Sequence, residues 1–379
     1  FYCIALAVFA KIIRERMPGE SVPAYLQNRF DTKTTRLYSY AWIVYGFLYI
    51  PIQLKTVASI IQIVLPGMNM MAAMLIGVTV AVLYTSFSGM KGASAVGRVV
   101  CIGIYILLII FTVTTLSGFG GLGGLFEPLP ENYNSMGNMP TQRIIAWILG
   151  GCISTAVMQA VLQPLLAAKS PQAARTGSIL GYLIAAPICF FTAICGMLSK
   201  ASGADLGDGS TAFAYAIKTF SSPVFAGIIF AFATMIIAAT MATMMLATGT
   251  IITNIYKTEI DRNAGDQKVL KISKSVTFIF AYLTLIPAFL IPSQSLTNLF
   301  LTRQHGAAAP VSVSILAGVM WKRCTKQGAF WSMLTGMIVG IAWMLLGLTD
   351  KMEAVYPVVV VTYSVGIIVS LMTSKKEIV

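Results

Sequence analysis

Residues 222–253 read SPVFAGIIFAFATMIIAATMATMMLATGTIIT, a run without one charged side chain. As a helix it rises about 48 Å at 1.5 Å per residue, more than the roughly 30 Å of hydrocarbon in a bilayer. A helix apolar on every side belongs in a membrane or a very large core. The rest of the chain repeats the pattern. Of 379 residues, 57% are apolar and 10% charged, and the mean hydropathy is +0.81. Too little polar surface remains to clothe a soluble globule. Further spans are predicted at 38–65, 70–88, 98–117, 143–166, 177–198, 275–292, 296–321, 329–348 and 355–373. The fold class is therefore an all-α polytopic membrane protein with ten full spans plus one partial.

The partial span is Phe1 to Ala10, which runs into Lys11, Arg14 and Arg16. A signal peptide carries its positive charges before the apolar core, so this segment reads instead as the tail of a spanning helix that begins upstream. Charge then assigns the sides. With the breaks alternating, one side collects every one of the 26 basic residues except Lys55, Arg143, Lys200, Lys218, Arg303 and Lys351. The positive-inside rule makes that side cytoplasmic and puts the C-terminus there. The net charge of +13 is thus a feature of topology, and no nucleic-acid partner is expected. Cys101, Cys152, Cys189 and Cys195 fall inside apolar runs, with Cys3 and Cys324 near run ends, which suggests neither a zinc spacing nor a disulfide framework. Gly118 to Gly124 lacks the Lys-Ser or Lys-Thr of a phosphate loop and reads as an outer turn.

No predicted span carries a carboxylate, yet two carry a cation, Lys55 and Arg303. Both lie roughly 12–15 Å below the outer interface by helical rise. A cation in the membrane interior faces protein or a wet cavity. Arg303 with Gln304 and His305, and Lys55 with Gln53, are candidate donors for an anionic substrate group; the alternatives are snorkelling or bonding to backbone carbonyls. Without intramembrane acids a carboxylate proton relay has no residues, and a coupling cation falls to neutral oxygens. Thr240, Thr243 and Thr250 supply a hydroxyl stripe within about a third of a turn; packing hydroxyls bonded to their own helix would look the same. Gly150-Gly151 and Gly306 with Pro310 are predicted to break two spans, as at transporter midplane sites, or else to serve close packing. The sole histidine is His305, and no nucleophile, base and orienter set is visible, so enzyme chemistry is not expected.

Four segments carry a resemblance. Tyr84-Thr85 is followed by Gly89-Met90-Lys91 and Ala93. Gln163 precedes Ala167-Ala168-Lys169-Ser170. The threonine helix ends in Asn254-Ile255-Tyr256. Gly306 and Pro310 precede Trp321-Lys322-Arg323, Gly328-Ala329, Gly336, Gly340 and Trp343. In this order and spacing they resemble the sodium/solute symporter family, from the start of the chain to about Trp343. The resemblance implies two inverted five-helix repeats with the first core helix missing here. It divides the chain into 1–348, the transporter core with the first peripheral helix, and 349–379, the last peripheral helix and tail. It implies substrate contacts near Gly151, Ser154 and Thr155 and near Thr302, Arg303 and Gln304, with Lys55 added by its position. The family's sodium-binding hydroxyl pair falls on Ala239-Thr240, with a backbone carbonyl near Ile236 and Thr243 one turn on. One hydroxyl is lost at Ala239. Val96-Gly97 stands where the family has Thr-Asp, and Pro164 where it has Arg.

The function this implies is sodium-coupled symport of a small organic solute by alternating access in the plasma membrane. Arg303 and the small residues around Ser154 favour an anionic or zwitterionic, carboxylate-bearing solute over a neutral sugar. Na+ is the expected coupling ion and the lipid bilayer the expected surroundings, with no obligate protein partner. The competing readings are a sodium-independent or proton-coupled carrier of the same fold, and a transporter-like solute sensor.

Overall fold

The computed structural model describes residues 2–17, 21–135, 137, 139–207, 209, 211–290, 306 and 308–374. Among them the regular structure is entirely helical. Helix α1 (Tyr2–Arg16) leads through the short α2 (Val22–Arg29) into α3 (Thr32–Val64). Ser21 and Asp31 cap α2 and α3 by accepting from the Ala24 and Thr34 amides, which satisfies first-turn N–H groups that would otherwise be orphaned. Pro51 lies inside α3 without ending it.

Helical backbone then runs from Met70 to Gly118 (α4). Both ends of this run lie beside the far end of α3. Asn69 follows closely on Leu65, while Phe119 packs on Phe220 at 5.7 Å, next to Lys218, whose Nζ donates to the Ile63 carbonyl at 3.0 Å. The arms Met70–Thr85 and Gly97–Gly118 therefore run in opposite directions, as the sequence expectation of two spans requires.

The chain continues through α5 (Thr141–Val157), α6 (Gln159–Leu166), α7 (Pro171–Ala185), α8 (Ile188–Ala201) and α9 (Ala212–Phe220) to the threonine helix α10 (Pro223–Ile255). It ends with α11 (Asp266–Leu283), α12 (Leu285–Leu290), α13 (Ala309–Met320), α14 (Lys326–Leu345) and α15 (Val355–Ser374). Among the described residues seven helices are long and apolar enough to cross a membrane, or eight with α5 and α6 as one bent span. Two of the ten expected spans, 70–88 and 296–321, are represented there by the shorter apolar helices Met70–Thr85 and Ala309–Met320.

Helix α10 sits centrally, packed on α3, α4 and α11, and small residues allow the approach. A Cβ at Gly46 would stand 2.6 Å from the Thr248 hydroxyl, and one at Gly249 would overlap the Thr277 hydroxyl. Helix α1 lies along α5 and α7 as a second group, and α13, α14 and α15 pack together as a third. There Gly336 and Gly340 let α14 press on Pro310 and Gly306, the close small-residue contact common between membrane helices.

One expectation is corrected. The break foreseen at Gly150-Gly151 is not there: helical hydrogen bonding continues through both buried glycines, and the chain bends by 46° at Met158. Glycine costs a helix only about 1 kcal/mol, too little for the pair to break it by itself. Met158 itself carries an extended backbone (φ −70°, ψ 121°) that no glycine or proline at that position announces.

Candidate functional site

The bend at Met158 interrupts the i to i−4 ladder, so the last carbonyls of α5 and the first amides of α6 lose their usual helical partners. Just inside it, Ser154 is buried with its hydroxyl donating to the Gly151 carbonyl at 3.3 Å, and Thr155 is half-buried. Just beyond it, Gln159 is only 1% exposed. Its Oε1 accepts from the Tyr38 hydroxyl at 3.4 Å, and its Nε2 has no partner among the described residues. Tyr38 opens an aromatic ladder along α3, with Tyr38 and Trp42 rings 6.0 Å apart, Trp42 and Tyr45 4.2 Å, and Tyr45 and Tyr49 6.3 Å. The helical spacing of these rings was readable in the sequence; their meeting with Gln159 was not.

On α10 the residues singled out for a cation share one half-buried face. The Thr240 hydroxyl donates to the Ile236 carbonyl at 3.0 Å, and the Thr243 hydroxyl to the Ala239 carbonyl at 2.9 Å. Each donation spends the hydroxyl proton and leaves oxygen lone pairs free, so a hydroxyl and a carbonyl stand side by side. Ala239 adds a carbonyl but no side-chain oxygen. These neutral oxygens suit a hard monovalent cation and offer nothing to a soft one. Among the described residues no group of three His, Cys, Asp or Glu could hold a metal ion. Thr250 and Thr253 continue the pattern, donating to Leu246 and Gly249 at 2.9 and 2.7 Å.

Between these two regions a cleft of about 1530 Å³ opens at the basic-rich end. Gln163, Leu166 and Ala167 of α6 line one wall and Thr250, Thr253 and Asn254 of α10 the other. Gln159 lies one helical turn deeper than the cleft residue Gln163, and Tyr38 about half a turn deeper than Arg36, so their hydrogen bond joins the walls near its floor. The ion pair Arg36–Glu259, 2.5 Å long, borders the mouth. Thr240 and Thr243 do not line the cleft.

The other candidates stand apart. Lys55 is 5% exposed within α3, which overturns snorkelling to the surface. Thr302, Arg303, Gln304 and His305 lie outside the described residues. What sequence reasoning missed is Arg143–Glu353 at the opposite end, 2.9 Å long with Glu353 4% exposed.

The model of the Sodium:solute symporter family matches residues 1–336. The chain belongs to that family. Its members are transporters, not enzymes, and the apolar helices make this one a multi-pass membrane protein. The high-affinity proline transporter PutP of Bacillus subtilis is 24% identical over 349 residues, covering 89% of this chain and 73% of that protein. Sodium/glucose cotransporter 4 of Mus musculus is 23% identical over 374 residues, covering 86% and 54%. The chain thus spans about half the length of the cotransporter and about three quarters of the proline transporter. The solved structure of a Na+-coupled sialic acid symporter, in a substrate-bound outward-open state, superposes with a TM-score of 0.79 at 14% identity, over 99% of this chain and 82% of that one.

Proposed function

We propose that this symporter-family chain carries a small carboxylate-bearing solute, anionic or zwitterionic, by sodium-coupled alternating access. The observation that carries the reading is the cleft, which reaches from the basic-rich end between α6 and α10 toward the bend at Met158. A bent helix in a membrane is tolerated where its freed backbone groups face a cavity or a ligand. On the positive-inside rule the basic-rich end and the C-terminus are cytoplasmic, in the plasma membrane, so the cleft is an inward-facing vestibule. Arg14, Arg36, Lys257 and Arg262 against Glu259 and Asp266 in its walls favour an anionic group. Two inverted repeats, with 1–348 as core and first peripheral helix and 349–379 as last helix and tail, belong to the same proposal.

Sodium is held, in this reading, by Thr240 with the Ile236 carbonyl and by Thr243 with the Ala239 carbonyl. Gly151, Ser154, Thr155, Thr302, Arg303, Gln304 and Lys55 serve the solute. The missing hydroxyl at Ala239 favours a second reading, a sodium-independent or proton-coupled carrier of the same fold.

The test is uptake of labelled carboxylates, amino acids and sugars into proteoliposomes, in sodium and in potassium. Uptake of one carboxylate in sodium alone supports the first reading, equal uptake in both buffers supports the second, and no uptake of any solute ends the transport proposal. Thr240→Ala is expected to weaken apparent sodium affinity about ten-fold, since a contact to a charged group contributes about 1.5 kcal/mol or more. Unchanged sodium dependence would remove Thr240 from the site.

A further inference from the structure

At the basic-rich end, beside the cleft but lined by other residues, α1, α2 and α13 meet around a second cavity of about 370 Å³. Among the described residues Arg16, Tyr25, Arg29, Gly318, Val319 and Lys322 line it, three cations and no carboxylate. The pocket is built rather than incidental. The Arg29 guanidinium donates from Nε to the Gly318 carbonyl at 3.3 Å and from Nη2 to the Lys322 and Cys324 carbonyls at 3.3 and 3.1 Å. These bonds hold its plane against the C-terminal end of α13 and leave Nη1 outside the carbonyl set. The Phe30 ring supports the same group at 5.2 Å. Gly318 keeps the floor open, since a Cβ there would stand 3.0 Å from Phe30 and 3.1 Å from the Tyr25 hydroxyl.

Tyr25 is 5% exposed, and its hydroxyl makes no well-formed hydrogen bond among the described residues although the Arg29 charge stands beside it. Burial pushes this phenol up to about 12, against the opposing pull of Arg29, so at neutral pH it keeps its proton and remains a donor. Two guanidiniums, one ammonium and one phenol then surround a space large enough for a phosphate ester. Arginine forks and lysine point charges are the usual phosphate partners. The exposed apolar side chain of Met320, next to Lys322, marks the level where α13 leaves the apolar layer.

We propose that Arg16, Tyr25, Arg29 and Lys322 form a binding site for a phosphate monoanion, either an anionic lipid headgroup or free phosphate, separate from the transport path. Basic pockets between helices on the cytoplasmic side take such headgroups. Occupancy would tie α1 and α2 to the end of α13 and so bias how these elements move.

The experiment is thermal unfolding of the full chain in detergent, titrated with dioctanoyl phosphatidylglycerol, dioctanoyl phosphatidylcholine or inorganic phosphate. Tm should rise with phosphatidylglycerol and not with phosphatidylcholine. The double variant Arg16→Gln/Lys322→Gln changes two exposed side chains, and its own Tm without ligand reports that it folds. It should bind about five-fold more weakly per cation removed, the equivalent of about 1 kcal/mol each. Lys271→Gln/Lys274→Gln removes the same charge from α11 and should change affinity less than about two-fold. Stabilisation by inorganic phosphate as strong as by phosphatidylglycerol supports the site with free phosphate as its source. Stabilisation by the lipid alone supports it with a headgroup. Equal weakening in both double variants, or no stabilisation by either anion, overturns it. None of these outcomes depends on solute uptake, so failure here is distinct from failure of the transport reading.

Discussion

At the basic-poor end, polar side chains tie α5 to the group of α14 and α15: Tyr356 reaches the Gln142 carbonyl at 2.5 Å, and Arg143 the buried Glu353. At the basic-rich end Arg29 bonds the Gly318, Lys322 and Cys324 carbonyls and Thr34 the Lys326 carbonyl, tying α2 and α3 to α13 and α14, but the bonds that border the cleft stay within one wall. Arg14 donates to the Ala168 carbonyl at 3.1 Å inside the α1–α6 wall, and Arg36 pairs with Glu259 inside the α3–α10 wall. Wall is joined to wall deeper, where Tyr38 meets Gln159. The difference is one of placement: beside the cleft the polar contacts run along each wall and do not cross it, so the space between the walls stays open.

The largest effect should come from breaking a wall itself. Gly249→Val would drive a side chain into Thr277 of α11, and overpacking of this kind costs about 1–3 kcal/mol. We expect a loss near the upper limit, read as a fall in Tm in detergent together with loss of any solute uptake. Arg143→Ala tests the basic-poor end. It strands a buried carboxylate, and because Arg143 is itself half-exposed the cost should be about 2 kcal/mol, below that of a fully buried pair. A Tm like that of the parent chain would mean that other contacts hold these helices together there.

Tyr38→Phe removes the bond that joins the walls and should cost about 1 kcal/mol. Its sharper readout is chemical: a cysteine placed at Thr243 should react faster with a thiol reagent added from the basic-rich end. An unchanged rate would show that the Tyr38–Gln159 bond does not close the floor. Arg36→Gln is expected to do least, below about 1 kcal/mol, because an exposed pair contributes little. Its contribution should shrink further in high salt.

The membrane class and the direction of the basic bias were legible in the sequence because hydropathy and charge are sums over residues. The threonine face of α10 was legible for a similar reason: helical spacing alone puts Ile236, Thr240 and Thr243 on one side, and the hydroxyls do lie against the carbonyls of their own helix. The bend was misplaced for the opposite reason. Gly150 and Gly151 look like breakers, yet both are buried and the helix runs on through them. Met158 looks like a helix former and is bent where α5 and α6 meet the other helices.

Amino-acid order by itself thus determined what is apolar, what is charged and which residues share a helix face, since these follow from composition and a fixed 100° turn per residue. Only the tertiary structure decided which faces meet: Gln159 with Tyr38, Glu353 with Arg143, and the three cations around Tyr25. Those partners come from helices far apart in the chain, and no local propensity records the distance between them.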